Sequence, residues 1–310
     1  MDKGVNFNTL MYIRTDIERS DIGCQGLSPR RSIPKAGLGR THFYLSDPYG
    51  FHEALFMQAG FVKSSRYRYW NAEKRCIDMD GFLEDLSEAE PNSVVLLQTC
   101  AHNPTGCDPT PEQWVKIASL MRENKLFPFL DMAYQGFASG VIEEDAKVVR
   151  FFVDQGFEFM CAQSFSKNFG LYGQRAGSLT IVSGCAHTIP HMVSEIILIV
   201  GGNYMVPPLH GSRIVATVLN NPTLFQEWER CVKTMFDRIT AMRTGLKKRL
   251  ETLKTPGSWD HITSQRGMFC FIGLARKYPS QFYGITLHAS IDFRILDDRD
   301  KIAICNLINS

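Results

Sequence analysis

No apolar run in this chain is long enough to cross a bilayer; the stretch Ile196–Val200 stops at the pair Gly201-Gly202. The chain opens without a charged-then-apolar leader, and its early mixture of acidic and basic residues is unlike a transit peptide. Charge of one sign is missing too. Lys and Arg number 34 against 32 Asp and Glu, a formal net charge of +2, which gives no electrostatic case for nucleic acid or a membrane surface. The pair Arg30-Arg31 reads as a short solvated cluster. Nine cysteines are scattered without one Cys-x-x-Cys. A disulfide framework is therefore not expected, nor a metal site, and reduced thiols in a cytoplasmic protein fit better. Repeats and low-complexity tracts are also lacking. What remains is 310 residues at 44% hydrophobic content, enough to bury a substantial core in one large domain or a large and a small one.

The most informative stretch is Ser164-Phe-Ser-Lys-Asn-Phe-Gly-Leu-Tyr-Gly-Gln-Arg-Ala-Gly. It follows an apolar run, Phe157–Ala162, that reads as a buried strand. A lysine at the mouth of a sheet, with hydroxyls and a guanidinium nearby, suits an enzyme that holds an aldehyde cofactor carrying a phosphate. Lys167 would form the imine, and Ser164 and Arg175 would take phosphate oxygens. The same residues also suit a polar turn with a solvated lysine.

A second segment bears on that choice. Phe127-Pro-Phe-Leu-Asp-Met-Ala-Tyr has the form of a buried strand ending near Asp131, with Tyr134 three residues on. A loop, a helix expected over Glu143–Gln155 and another strand then lead to Lys167, the length of a crossover between parallel strands. Such a unit brings two strand ends to one edge of the sheet, where open α/β sheets bind ligands. A carboxylate there can keep a pyridine nitrogen protonated. Alone, Asp131 would suit a helix cap equally well. A third strand begins at Ser93 and breaks at Asn103-Pro-Thr-Gly, within Cys100-Ala-His-Asn-Pro-Thr-Gly. Asn103 in that turn can donate to a ring oxygen, although Asn-Pro-Thr-Gly is by default only a turn. Thr110, Pro111 and Gln113 fit a capping box, and Trp114, Ile117, Ala118 and Met121 mark one apolar helical face. From Pro222 to Thr255 apolar residues recur at steps of three or four, opened by Asn221-Pro222 and stopped by Pro256-Gly257.

These blocks, with Tyr67-Arg-Tyr-Trp-Asn-Ala-Glu-Lys-Arg and Gly267-Met-Phe-Cys-Phe, resemble the aspartate aminotransferases of pyridoxal-phosphate fold type I, most of all their cytosolic animal branch. The matching motifs run in family order from about Phe43 to Leu274. The resemblance implies an α/β fold: a mainly parallel sheet flanked by helices, with a small, partly degenerate C-terminal α/β domain. It implies a divergent segment over 1–41, a large cofactor-binding domain over 42–233, and a connecting helix with a remnant small domain over 234–310. The implied cofactor is pyridoxal 5'-phosphate, and the implied reaction is ping-pong amino transfer between aspartate and 2-oxoglutarate in a cytoplasmic homodimer.

By position, Lys167 resembles the Schiff-base lysine and proton shuttle, and Asp131 the partner of the pyridinium nitrogen. Tyr134 and Asn103 resemble the pair on the phenolic oxygen. Ser164 and Arg175 resemble phosphate ligands, with Ser166 as a neighbour. His52 matches a histidine that supports the aspartate, and Tyr49 stands where the family stacks a tryptophan on the ring. Gln98 stands where the family has a histidine, and Gly201 where it has the arginine for a substrate's side-chain carboxylate. Glycine cannot replace a bidentate guanidinium. Residues 1–41 show neither the family's Ser-Gly-Thr phosphate turn nor its N-terminal arm, and similarity fades after Leu274. Three functions follow from the resemblance: aspartate transamination, a pyridoxal-phosphate enzyme of altered amino-acid specificity, or a catalytically impaired homologue acting as a binding partner.

Overall fold

The computed structural model describes residues 42–48, 52–206, 208–271 and 290–292. Expectations for 1–41, Tyr49 and most of Ala275–Ser310 therefore fall outside the described residues. A six-stranded sheet forms the centre, in the order β2 (Lys63–Arg68), β1 (His42–Asp47), β5 (Val94–Gln98), β6 (Phe127–Met132), β7 (Phe159–Ser164) and β8 (Gly177–Val182). All neighbours are parallel except β8, which runs antiparallel to β7. Two small antiparallel pairs lie apart from it, β3 (Trp70–Asn71) with β4 (Cys76–Ile77) and β9 (Phe269–Phe271) with β10 (Ser290–Asp292). Near-continuous apolar runs such as Val94–Leu97 are what a parallel sheet covered on both faces requires.

Period-two alternation sorts the side chains between the two covers. On one face Phe43, Leu45, Leu96, Met160 and Ala162 pack under Phe56 of α1 (His52–Gln58) and Ile196 of α6 (Thr188–Tyr204). On the other, Val95, Leu97, Leu130 and Phe159 meet three helices. These are α2 (Met79–Ser87), α3 (Pro111–Glu123) and, after the single turn α4 (Ile142–Asp145), α5 (Lys147–Asp154). The expected capping box starts α3: Thr110 accepts from the Gln113 N–H, and the Gln113 side chain returns to the Thr110 N–H.

Two boundaries differ from expectation. The helix expected over Glu143–Gln155 is two helices broken at Ala146. There Asp145 is drawn inward to accept from the N–H groups of Gly136 and Ala138 and from the Ser139 hydroxyl. Then Gly156, at φ +72°, closes α5 in a Schellman turn, with Phe157 N–H donating to the Phe152 carbonyl. That turn consumes Phe157, so β7 starts two residues later than the apolar run; pairing with Gly177 of β8 carries it on to Ser164.

After α7 (Leu209–Leu219) comes α8 (Pro222–Thr252), 31 residues and about 46 Å long, capped by the Asn221 side chain. The expected boundary between 233 and 234 falls inside this helix. Its later half, with Ile239, Leu246 and Leu250, packs with Trp259, Ile262 of α9 (His261–Ser264), and Met268. The same cluster takes in Ala101, Tyr134 and Phe137 from the strand ends, so the segment 259–270 is bolted to the edge of the sheet. Close backbone approach makes that bolt. Gly267 has φ +81°, and a Cβ there would lie 2.4 Å from the Cβ of Ala101. Gly267→Ala should cost about 2–4 kcal/mol, from left-handed strain plus overpacking. Urea unfolding checks this, and a loss below 1 kcal/mol would mean that the two loops part easily.

Candidate active site

The carboxyl ends of β5, β6 and β7 set the site's level. Parallel pairing puts Gln98 opposite Asp131 and Asp131 opposite Ala162, all three on the α1 and α6 face. His52 is the first residue of α1 and reaches across that face, its Nε2 3.9 Å from Asp131 Oδ2. Both are buried. His52 titrates at about 4, below its ordinary value, first because burial penalises the cation and next because Lys167 carries positive charge nearby. It is therefore neutral near pH 7 and places no positive charge against the aspartate.

Lys167 follows β7 in a loop covered by Val215 of α7 and braced from α8, where the Trp228 indole donates to the Asn168 carbonyl at 2.7 Å. Lys167 is only 3% exposed, and its Nζ lies 4.9 Å from the Tyr134 ring centroid. The Tyr134 hydroxyl accepts from Asn103 Nδ2 at 3.0 Å, and Phe269 meets the ring edge-on. Lys167, Tyr134, Asn103, Asp131 and His52 thus converge.

The expected anion-binding residues form a neighbouring group. Ser164 ends β7 and its Oγ accepts from the Ser166 N–H at 3.2 Å. Antiparallel pairing sets Gly177 opposite Ser164, and the Phe165 N–H donates to the Ala176 carbonyl, so Arg175 sits just beyond this rung. Its guanidinium donates to the Tyr172 carbonyl at 3.1 Å. Tyr49 lies outside the described residues. Gly201 is on α6, exposed, with nothing within 4 Å of an added Cβ.

Some residues of the site were not anticipated. Asp108 accepts from the N–H groups of Ala101 and His102 at 2.7 and 3.0 Å, fixing the turn that carries Asn103. His102 is buried between Ser46 and Thr105, stacks 3.8 Å from the Tyr69 ring and titrates at about 3 because of burial. An acid four residues past Asn-Pro in a Gly-containing turn was the one available signal for Asp108. Arg243 of α8 donates to the carbonyls of Ile262, Gly267 and Phe269; nothing in a helical apolar pattern marks it.

By donor chemistry the site fits pyridoxal phosphate. There is an amine for an aldehyde, a carboxylate for a pyridinium nitrogen, two hydroxyl or amide donors for a phenolate, and two serines with a guanidinium for a phosphate. Comparison with known proteins agrees in kind. The family model for class I and II aminotransferases matches residues 39–299. The chain belongs to this family. It is 51% identical over 238 residues to the cytoplasmic aspartate aminotransferase of Gallus gallus, covering 76% of this chain and 58% of that one. The chain thus spans about three fifths of that relative's length. Among solved structures, the broad specificity aminotransferase from Leishmania mexicana superposes with TM-score 0.84 at 37% identity, over 88% of this chain and 69% of that one. An aromatic-amino-acid aminotransferase from Burkholderia pseudomallei, covalently bound to pyridoxal phosphate, gives TM-score 0.82 at 36% identity, over 87% and 69%. The mainly parallel sheet flanked by helices is the fold of these aminotransferases.

The two depressed histidines make acid stability testable. Between pH 6.5 and about 4 the unfolded chain binds protons that folded His52 and His102 refuse. Stability should therefore be full above pH 6.5 and fall as the pH drops. His52→Gln should reduce the loss between pH 7 and pH 5 by about 2 kcal/mol. Urea unfolding at both pH values measures it; an unchanged difference would mean that folded His52 takes up its proton freely.

Proposed function

We propose that this chain is a pyridoxal-phosphate-dependent aminotransferase of the aspartate and 2-oxoglutarate type, working by ping-pong transfer. The supporting observation is that the buried Lys167 and the buried Asp131 both bear on one neutral histidine, His52. When bound, the cofactor supplies an electron-withdrawing ring that accepts charge from the bond broken at the substrate's Cα. Lys167 would hold the cofactor through Nζ, and the same atom would be placed to carry the substrate's Cα proton. Asp131, with His52 beside it, would keep a proton on the ring nitrogen. The Tyr134 hydroxyl and the Asn103 amide, already hydrogen-bonded to each other, would donate to the ring oxygen. Ser164, Ser166 and Arg175 bind the phosphate. The part from His42 through α7 would carry the cofactor, and α8 would connect it to the segment that follows.

The proposal includes a homodimer and the cytoplasm, the compartment of the Gallus gallus cytoplasmic aspartate aminotransferase. Ile197, Leu198, Met205, Val206 and Leu209 form an exposed apolar stretch along α6 and into α7, and a second copy would cover it. Among the described residues no helix is long and apolar enough to cross a membrane. A second reading, altered amino-acid specificity, is favoured by Gly201, which offers no charge to a substrate carboxylate.

Protein mixed with pyridoxal phosphate should develop a visible absorbance band that Lys167→Ala abolishes. Wild-type protein that stays colourless would sink the cofactor reading and favour a purely binding partner. Because an added side chain meets open space at Gly201, Gly201→Arg should raise kcat/KM for aspartate over apolar amino acids by about 2–5 kcal/mol. Wild-type protein already as selective for aspartate as that variant would exclude the second reading.

A further inference from the structure

Asn103 is gripped on both sides by a residue to which the proposed reaction assigns no part. Gln98 is the last residue of β5 and is 6% exposed. Its Oε1 accepts from the Asn103 main-chain N–H at 2.8 Å, and its Nε2 donates to the Asn103 carbonyl at 3.1 Å. The N–H belongs to the peptide plane before the Asn103 Cα and the carbonyl to the plane after it. Pinning both planes fixes the direction of the Cα–Cβ bond, and with it the reach of the side-chain amide. That amide donates to the Tyr134 hydroxyl at 3.0 Å. Parallel pairing sets Gln98 itself opposite Asp131. One glutamine therefore references the Asn103–Tyr134 pair to the strand that carries the carboxylate.

We propose that Gln98 is a positioning residue for Asn103, holding its amide on the Tyr134 hydroxyl at the height of Asp131. This rests on the reading of the site as one for pyridoxal phosphate, and it names what sets the donor geometry at the ring oxygen. The neighbouring anchors do a different job. Asp108 takes the N–H groups of Ala101 and His102, and the Arg266 N–H reaches the Gly106 carbonyl, so they fasten the turn's flanks. The amide side chain has the right length and polarity, one acceptor and one donor on a single plane. Alanine removes both bonds. Glutamate keeps an acceptor for the N–H but sets an oxygen against the carbonyl.

The test uses the whole chain as wild type, Gln98→Ala, Asn103→Ala and the double variant, with Gln98→Glu as a near-isosteric second probe should the alanine variant fold poorly. Without cofactor, amide hydrogen exchange at Asn103 should quicken by about tenfold or more in Gln98→Ala, with exchange in β6 and β7 unchanged. With pyridoxal phosphate, the dissociation constant should rise by about tenfold in Gln98→Ala, and Gln98→Glu should shift it the same way. The double variant should bind no more weakly than Asn103→Ala alone, because a residue acting through Asn103 has nothing further to lose. Additive losses in the double variant, or wild-type exchange at Asn103 in Gln98→Ala, would overturn the proposal. Wild-type protein that fails to bind pyridoxal phosphate would instead overturn the site reading, and the exchange at Asn103 would still decide the case for Gln98.

Discussion

The site depends on the common register of three parallel strands. Gln98, Asp131 and Ala162 lie on one rung, and the chain beyond each rung residue carries Asn103, Tyr134 or Lys167. Because side chains alternate across a sheet, slipping β6 by one residue would turn Asp131 from the His52 face into the apolar packing of α2, α3 and α5. That slip would repack both covers, since Leu130 and Met132 fill that packing and Phe127 and Phe129 the face under α1 and α6, and it would set the Asp131 carboxyl among hydrocarbon. Hydrophobic burial thus decides where the chemistry stands, although no apolar residue performs it.

Burying ionisable groups this deeply is unfavourable unless the surroundings compensate. At Lys167 and Asp131 they do so unevenly. His52 stays neutral, so it adds no second cation to the space Lys167 occupies, and it presents a ring nitrogen toward Asp131. The Tyr134 ring lies near the lysine and offers its negative face. Such an arrangement places a neutral ring and an aromatic face beside the two buried groups. Asp145 shows the opposite solution. Three donors converge on its carboxylate, and it serves the loop after Tyr134 as a fixed staple.

The sheet, the capped start of α3 and the long helix were legible because each rests on a periodic or local signal: apolar runs, a Thr-Pro-x-Gln cap, apolar steps of three and four. Lys167, Asp131, Asn103 and Tyr134 were legible because polar residues at strand ends interrupt those runs. What escaped depends on tertiary choices. β7 starts late because Gly156 folds Phe157 back onto α5, and it ends at Ser164 because that residue pairs with Gly177 of β8; neither is written in the apolar pattern. The break at Ala146 comes from Asp145 finding partners in a loop seven to nine residues upstream. Gln98 was visible as a departure, but its grip on Asn103 needs the turn's geometry.

Arg243 carries this tertiary dependence furthest. It lies in α8, more than a hundred residues from Asn103 in the chain, and its guanidinium collects the carbonyls of Ile262, Gly267 and Phe269. Those carbonyls belong to the turn whose Arg266 N–H bonds the Gly106 carbonyl, and whose Phe269 meets the ring of Tyr134. Neighbouring contacts leave no slack, since a Cβ on Gly106 would stand 2.9 Å from the carbonyls of Arg266 and Phe269. One buried cation therefore holds the C-terminal segment against the asparagine turn, and the long helix that supplies it also steadies the lysine loop through Trp228. The helix is accordingly part of the site's frame, and both halves of the donor set depend on where it lies.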